Sequence, residues 1–174
     1  LCVAADAGIQ VNTRRVWKWA GQLGLARAIV ITKLDAEQAK FPEVLDSLQA
    51  MFGQACMPVN LPIGQGSSFQ GVVSTVAPPA DAPPGVLGDV AAAGHALRER
   101  IIEADEELMM RYLEGEEITA DEVMAVAARA IAGGQLVPVF CCAAEKDLGV
   151  SEILDGVVAL FPSPATGLVR RGAK

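Results

Sequence analysis

The feature that most constrains this chain is its exchange of short β-branched runs with amphipathic stretches. The segment "RAIVITKLD" carries an unbroken apolar run from Ala28 to Ile31, and such a run belongs to a strand buried on both faces of a sheet. Upstream, "LCVAAD" reads as a strand ending at Asp6, and "GIQVNTRRVWKWAGQLGL" places Val11, Val16, Trp17, Ala20 and Leu23 at helical spacing before Gly24. After Asp35, a second helical face is formed by Phe41, Val44, Leu45, Leu48 and Phe52 and is stopped by Gly53. Near the other end, "QLVPVFCCAA" predicts a strand. "VSEILDGVVALFPSP" predicts a helix with Ile153, Leu154, Val157, Val158 and Leu160 facing inward and Pro162 ending it. Strands separated by helices pair in parallel, so the expected fold is α/β, with helices flanking a parallel sheet.

The alternation breaks in the middle. "ACMPVNLPI" starts extended, but Pro58 and Pro62 argue against a central strand, a short strand is predicted over Phe69 to Val76, and "APPADAPPG" is a connector. Two helices follow. One is expected from Asp89 to Leu113 with Leu97, Ile101, Leu108 and Tyr112 inward; the other opens at a capping box of Thr119 and Glu122 and runs to Gly133. The expected organisation is therefore one α/β unit from 1–57 and 135–166, an α-rich insertion over 58–134, and the start of a linker at 167–174.

Charge is concentrated in that insertion. From Glu99 to Glu122 ten acidic residues face only Arg100 and Arg111, a net of −8, while the whole chain carries −7. Such a segment repels a phosphate backbone, so direct DNA binding is not expected. Glu103, Glu106 and Glu107 are candidate contacts for a basic partner, with a solvated helix face as the alternative. No apolar stretch approaches the roughly 20 residues that cross a bilayer, and no secretory signal is present, so a cytoplasmic protein without membrane contact is expected.

Cys2, Cys56, Cys141 and Cys142 match neither a metal knuckle nor a disulfide framework and read as buried free thiols. His95, the single histidine, reads as solvent-facing on a helix. These residues predict neither a metal site nor a catalytic set.

Thr32, Lys33 and Asp35 stand where the strand over Ala28–Ile31 ends, and open α/β sheets bind ligands at the carboxyl ends of their strands. A carboxylate there accepts two parallel hydrogen bonds, the pattern a guanine edge offers at N1 and N2. The Lys33 stem can lie along a base, and the Thr32 hydroxyl can tie adjacent loops. The alternative is that Asp35 caps a helix beginning near Ala36. "CCAAEKDLGV" ends the next parallel strand and could turn a backbone N–H toward the same ligand. "GQGSSFQGVV" has the spacing of a phosphate loop at Gly66 and Gly71, but Val72 and Val73 fill the lysine and hydroxyl positions, so it reads as a glycine-bounded strand.

Taken in order, "VAADAGIQVNTRRVWKWAGQLGL", "IVITKLD", "LPIGQGSSFQGVV", "ELMMRYLEGEEIT", "LVPVFCCAAEKDLGV" and "ILDGVVALFPSP" resemble elongation factor G and its paralogues, the ribosomal translocation GTPases. The resemblance implies the later strands of a P-loop GTPase sheet. It places the guanine-specificity motif on Thr32, Lys33 and Asp35, and the second base-contact motif on Ala143, Ala144 and Glu145. It also implies GTP or GDP as ligand, and the ribosome as partner, with the insertion contacting the stalk protein. Thr32 replaces the usual asparagine and Ala143 the usual serine, which implies a divergent paralogue; each lost side-chain hydrogen bond is worth roughly 0.5–1.5 kcal/mol. The family's phosphate loop and switches lie ahead of "LCVAAD", so the chain is expected to be the second half of a G domain, inactive alone, with magnesium held by the other half. The competing reading is a non-catalytic interaction module whose guanine motif is vestigial.

Overall fold

A computed structural model describes residues 1–161. Its elements are β1 (Cys2–Ala4), α1 (Val11–Gln22), β2 (Ile29–Thr32), α2 (Phe41–Phe52), β3 (Cys56–Pro58), β4 (Asn60–Ile63), β5 (Gly71–Ser74), α3 (Val90–Ile102), α4 (Glu106–Leu113), α5 (Ala120–Ala132), β6 (Val137–Cys141) and α6 (Val150–Leu160). The expected Pro162 helix stop and the linker at 167–174 lie outside the described residues.

Four strands form one parallel sheet in the order β1-β2-β6-β3, with Ile31 paired to both Val3 and Cys141. Alternate side chains leave opposite faces of a strand, and two cores result. Ile29, Ile31, Val137, Val139 and Cys141 join Phe41, Val44 and Leu48 of α2 on one side. Phe140 joins α3, α4 and α5 through Leu97, Ile101, Leu108, Val126 and Ile131 on the other. The insertion therefore shares a core with the second face of the sheet. Pro58 sits on the edge strand β3, where its missing N–H costs no ladder bond, and Pro62 lies in the separate antiparallel hairpin of β4 and β5.

The helical periodicity locates the helices but not what covers them. Of the residues expected at helical spacing on α1, Val11, Val16 and Leu23 are exposed, while Trp17 holds the helix, its ring stacked on Phe52 at 4.3 Å and the Arg27 guanidinium 4.1 Å from its ring centroid. On α6 Leu154, Val157 and Val158 are exposed and only Leu160 is buried. An apolar row needs a neighbour to become a core, and these rows have none among the described residues.

The stretch expected as one helix from Asp89 to Leu113 is two. The turn at Glu103–Ala104 lets Asp105 cap α4 by accepting a hydrogen bond from the Leu108 N–H at 3.1 Å, which competes with continuation of α3. The Thr119–Glu122 capping box forms as expected. Cys2 is exposed, unlike the other three cysteines, because β1 is an edge strand. His95 is exposed, 3.4 Å from Glu99.

Candidate nucleotide-base site

Because β2 and β6 are adjacent and parallel, their carboxyl ends open at the same edge of the sheet. The half-buried Thr32 ends β2, and its carbonyl accepts from the Ala5 N–H at 2.8 Å. Lys33 follows with φ at 58°, a left-handed turn that is uncommon for a residue with a side chain and is favoured at functional loops. The next residue, Leu34, is fully buried, and its backbone is fixed on both sides: its N–H donates to the Cys142 carbonyl at 3.4 Å, and its carbonyl accepts from the Gly66 N–H at 2.7 Å. Lys33 is thereby exposed while Asp35, with a side chain only 19% exposed, is held in the loop.

Asp35 is not the helix cap that its position suggested. α2 begins at Phe41, with Lys40 at the cap and Pro42 in the first turn, where proline's fixed φ suits a helix start. The Asp35 carboxylate instead lies 3.6 Å from the Lys146 ammonium.

Lys146 belongs to the loop after β6. There Ala143 is fully buried and exchanges hydrogen bonds with Leu148, its N–H donating at 2.9 Å and its carbonyl accepting at 3.2 Å. This pair closes a 3-10 turn over Ala144–Lys146, exits through Asp147 at φ 54°, and reaches Gly149 at φ 80°. A side chain at Gly149 would put Cβ 2.5 Å from the Cys141 carbonyl oxygen, so the turn requires glycine. Ala144 and Glu145 are exposed, and as the first residues of the turn their N–H groups have no partner inside it. The structure thus places Thr32, Lys33 and Asp35 on one loop and Ala143, Ala144 and Glu145 on the neighbouring one. Together they offer a carboxylate, a cationic side chain and backbone donors at one end of a parallel sheet.

Two contributors were not legible in the sequence. Lys146 reaches Asp35 only because β2 and β6 are neighbours, and the decoy glycine loop supports the Asp35 loop. Gly66 stands in a 3-10 turn at Gly66–Ser68, ahead of the strand it was expected to bound, and beside its hydrogen bond to Leu34 the Gln65 side chain accepts from the Phe41 N–H at 3.0 Å. Burial pushes the Cys141 and Cys142 thiols up, with the Cys2 and Asp35 charges adding to the rise at Cys142, and burial moves Cys56 up to about 11. These thiols stay protonated and are poor nucleophiles.

The acidic candidates lie elsewhere. Glu103 pairs with Arg100 at 3.1 Å, and Glu106 and Glu107 occupy the first turn of α4, where the helix dipole favours negative charge. Arg111 bridges Glu116 at 2.8 Å and Glu122 at 2.7 Å, and Arg129 meets Asp105 at 2.7 Å. Part of the acidity therefore organises the insertion itself. Among the described residues no helix is long and apolar enough to cross a membrane, and no cluster of three or more His, Cys, Asp or Glu is arranged to hold a metal ion.

Residues 1–163 match the family described as the elongation factor Tu GTP binding domain. A crystal structure of a Thermus thermophilus protein superposes with a TM-score of 0.83 at 32% identity, over 94% of this chain and 26% of that one. This chain thus corresponds to about a quarter of the length of that protein. A family match over nearly the whole sequence, joined to a parallel sheet with two base-loop candidates at its carboxyl edge, fixes the assignment: the chain belongs to the translational GTPases of the elongation factor Tu GTP-binding domain family, the grouping that its resemblance to elongation factor G anticipates.

Proposed function

We propose that this chain supplies the guanine-recognising part of an elongation factor G-like GTPase acting in protein synthesis in the cytoplasm. The observation that carries the reading is the meeting of the Asp35 loop with the Ala143–Lys146 loop at the carboxyl ends of β2 and β6, tied by the Leu34–Cys142 hydrogen bond and the Asp35–Lys146 ion pair. Asp35 accepts from guanine N1 and N2, the Lys33 stem covers one face of the base, and an N–H of Ala144 or Glu145 donates to O6. Thr32 and Ala143 frame the site with less side-chain hydrogen bonding than the asparagine and serine of the family pattern would give.

Phosphates and magnesium are assigned to another part of the parent protein, because no G-x-x-x-x-G-K-[ST] loop occurs in these 174 residues. Two observations support such a part packing here: the outer edge of β1 has no partner strand among the described residues, and α1 and α6 expose Val11, Leu23, Leu154 and Val158. In this reading residues 58–134 are the ribosome-contacting insertion, with Glu103, Glu106 and Glu107 steering the stalk protein. The buried, hydroxyl-free Ala143 favours the second reading, a protein-interaction module with a vestigial base site.

The two are separated by titrating the isotope-labelled chain with guanosine and with inosine, which lacks the N2 amine. The GTPase reading expects saturable shifts at Leu34, Asp35, Ala144 and Glu145, weaker for inosine and lost in Asp35→Ala. Identical responses to both nucleosides would support the module.

A further inference from the structure

On the opposite side of β6 from the Asp35 loop's core, a cavity of about 290 Å³ opens between the β4–β5 hairpin and α6. Its apolar wall is made by Val59, Met124, Phe140 and Leu160. Asn60 lines it from below, 2% exposed, with its Oδ1 accepting from the Cys141 N–H at 2.8 Å while its Nδ2 has no partner among the described residues. Glu152 and Asp155 line it from α6 and are exposed.

We propose that this cleft is a docking site for an extended peptide segment of a partner protein that presents an aliphatic side chain beside a lysine or arginine. Each part of the site selects one part of that ligand. The volume lies at the lower end of the roughly 300–1,000 Å³ typical of small-ligand pockets, enough for one large side chain and too small for a nucleotide. The wall takes an aliphatic group. A buried amide donor without an acceptor is unfavourable in the free chain, and a peptide carbonyl satisfies it. The two carboxylates at the rim attract a cation and repel an acid. Gly156 shapes the wall, since a side chain there would overlap the Phe140 ring that packs against α6. None of these residues belongs to the base loops, so the inference does not depend on nucleotide binding.

The test uses the isotope-labelled 174-residue chain and two blocked tetrapeptides, acetyl-Gly-Leu-Arg-Gly-amide and acetyl-Gly-Leu-Glu-Gly-amide, followed by NMR. The arginine peptide is expected to shift the Asn60 side-chain amide together with the Gly156 and Leu160 backbone amides along one saturable curve, and the glutamate peptide to bind about ten-fold more weakly. Reversing the rim with Glu152→Lys and Asp155→Lys, both exposed, should invert that preference. Asn60→Ala removes the donor without adding charge, so it should weaken both peptides alike; if that variant fails to fold, the rim reversal decides alone. Equal affinities for the two peptides, a preference unmoved by the rim reversal, or no saturable shift at Asn60 would overturn the proposal.

Discussion

Replacing Gly149 by alanine tests whether the loop after β6 is built as described. Two costs add at this position. The residue sits at φ 80°, where an L side chain costs roughly 1–2 kcal/mol. Its Cβ would also lie 2.5 Å from the Cys141 carbonyl oxygen and 3.1 Å from the Cys142 Cα, and these are backbone atoms of and next to a central strand, so relief requires moving β6. Overpacking of that kind adds about 1–3 kcal/mol. The expected loss is therefore about 3 kcal/mol, or about 6–12 °C in Tm for a chain of this size. Gly24→Ala is the internal reference, because Gly24 has φ 60° and open space around its Cβ, and so carries the dihedral cost alone. Urea unfolding followed by circular dichroism should rank Gly149→Ala as the more damaging by at least about 1 kcal/mol. Equal destabilisation by the two substitutions would show that the turn does not press on β6, and the geometry assigned to Ala143–Lys146 would fall with it.

Arg111, followed by the Thr119 N–H and hydroxyl, holds Glu122 at about 2, below its usual 4.5. The stabilisation is thus complete above about 4.5 and is lost as the pH falls toward about 2, so the urea midpoint of the wild type should approach that of Glu122→Gln across this window; a constant gap between them would refute the linkage. The chain alone should release no phosphate from GTP, since its sequence holds no phosphate loop; release above the blank that Asp35→Ala abolishes would contradict this. Charge reversal at Glu103, Glu106 and Glu107 should slow association with the stalk protein's carboxyl-terminal domain at low salt, with the difference vanishing as screening shortens the field to roughly 8 Å. Unchanged association rates would leave those residues as a solvated face.

The parallel sheet was legible because Ala28–Ile31 and Val137–Cys141 carry apolar runs that only a doubly covered strand accommodates. The Thr119 box was legible because both halves of a cap lie within four residues. Burial on α1 and α6 was not, since spacing identifies an apolar row and says nothing of whether another element lies over Val11, Leu23 or Val158. The break at Asp105 was missed because the apolar stripe runs on through Ile101 and Leu108 while the cap interrupts only the backbone; the signal available was an aspartate followed by two glutamates ahead of an apolar pair. At the site, local sequence supplied Thr32, Lys33 and Asp35 but could not supply Lys146, whose approach to Asp35 spans more than a hundred residues and depends on strand order. Nor could it reveal that Gly66 buttresses Leu34, because that contact joins the hairpin region to the sheet edge.

The central claim is that Asp35 reads a guanine edge, and base exchange tests it most directly. In the longer protein that the proposed function assigns to this chain, competition between GDP and XDP is measured for the wild type and for Asp35→Asn. In the proposed reading the carboxylate accepts from the guanine N1–H and N2 amine, whereas an amide in its place donates to the carbonyl that xanthine carries at C2. The account predicts guanine preference in the wild type and xanthine preference in the variant; an unchanged preference for GDP in Asp35→Asn would contradict it.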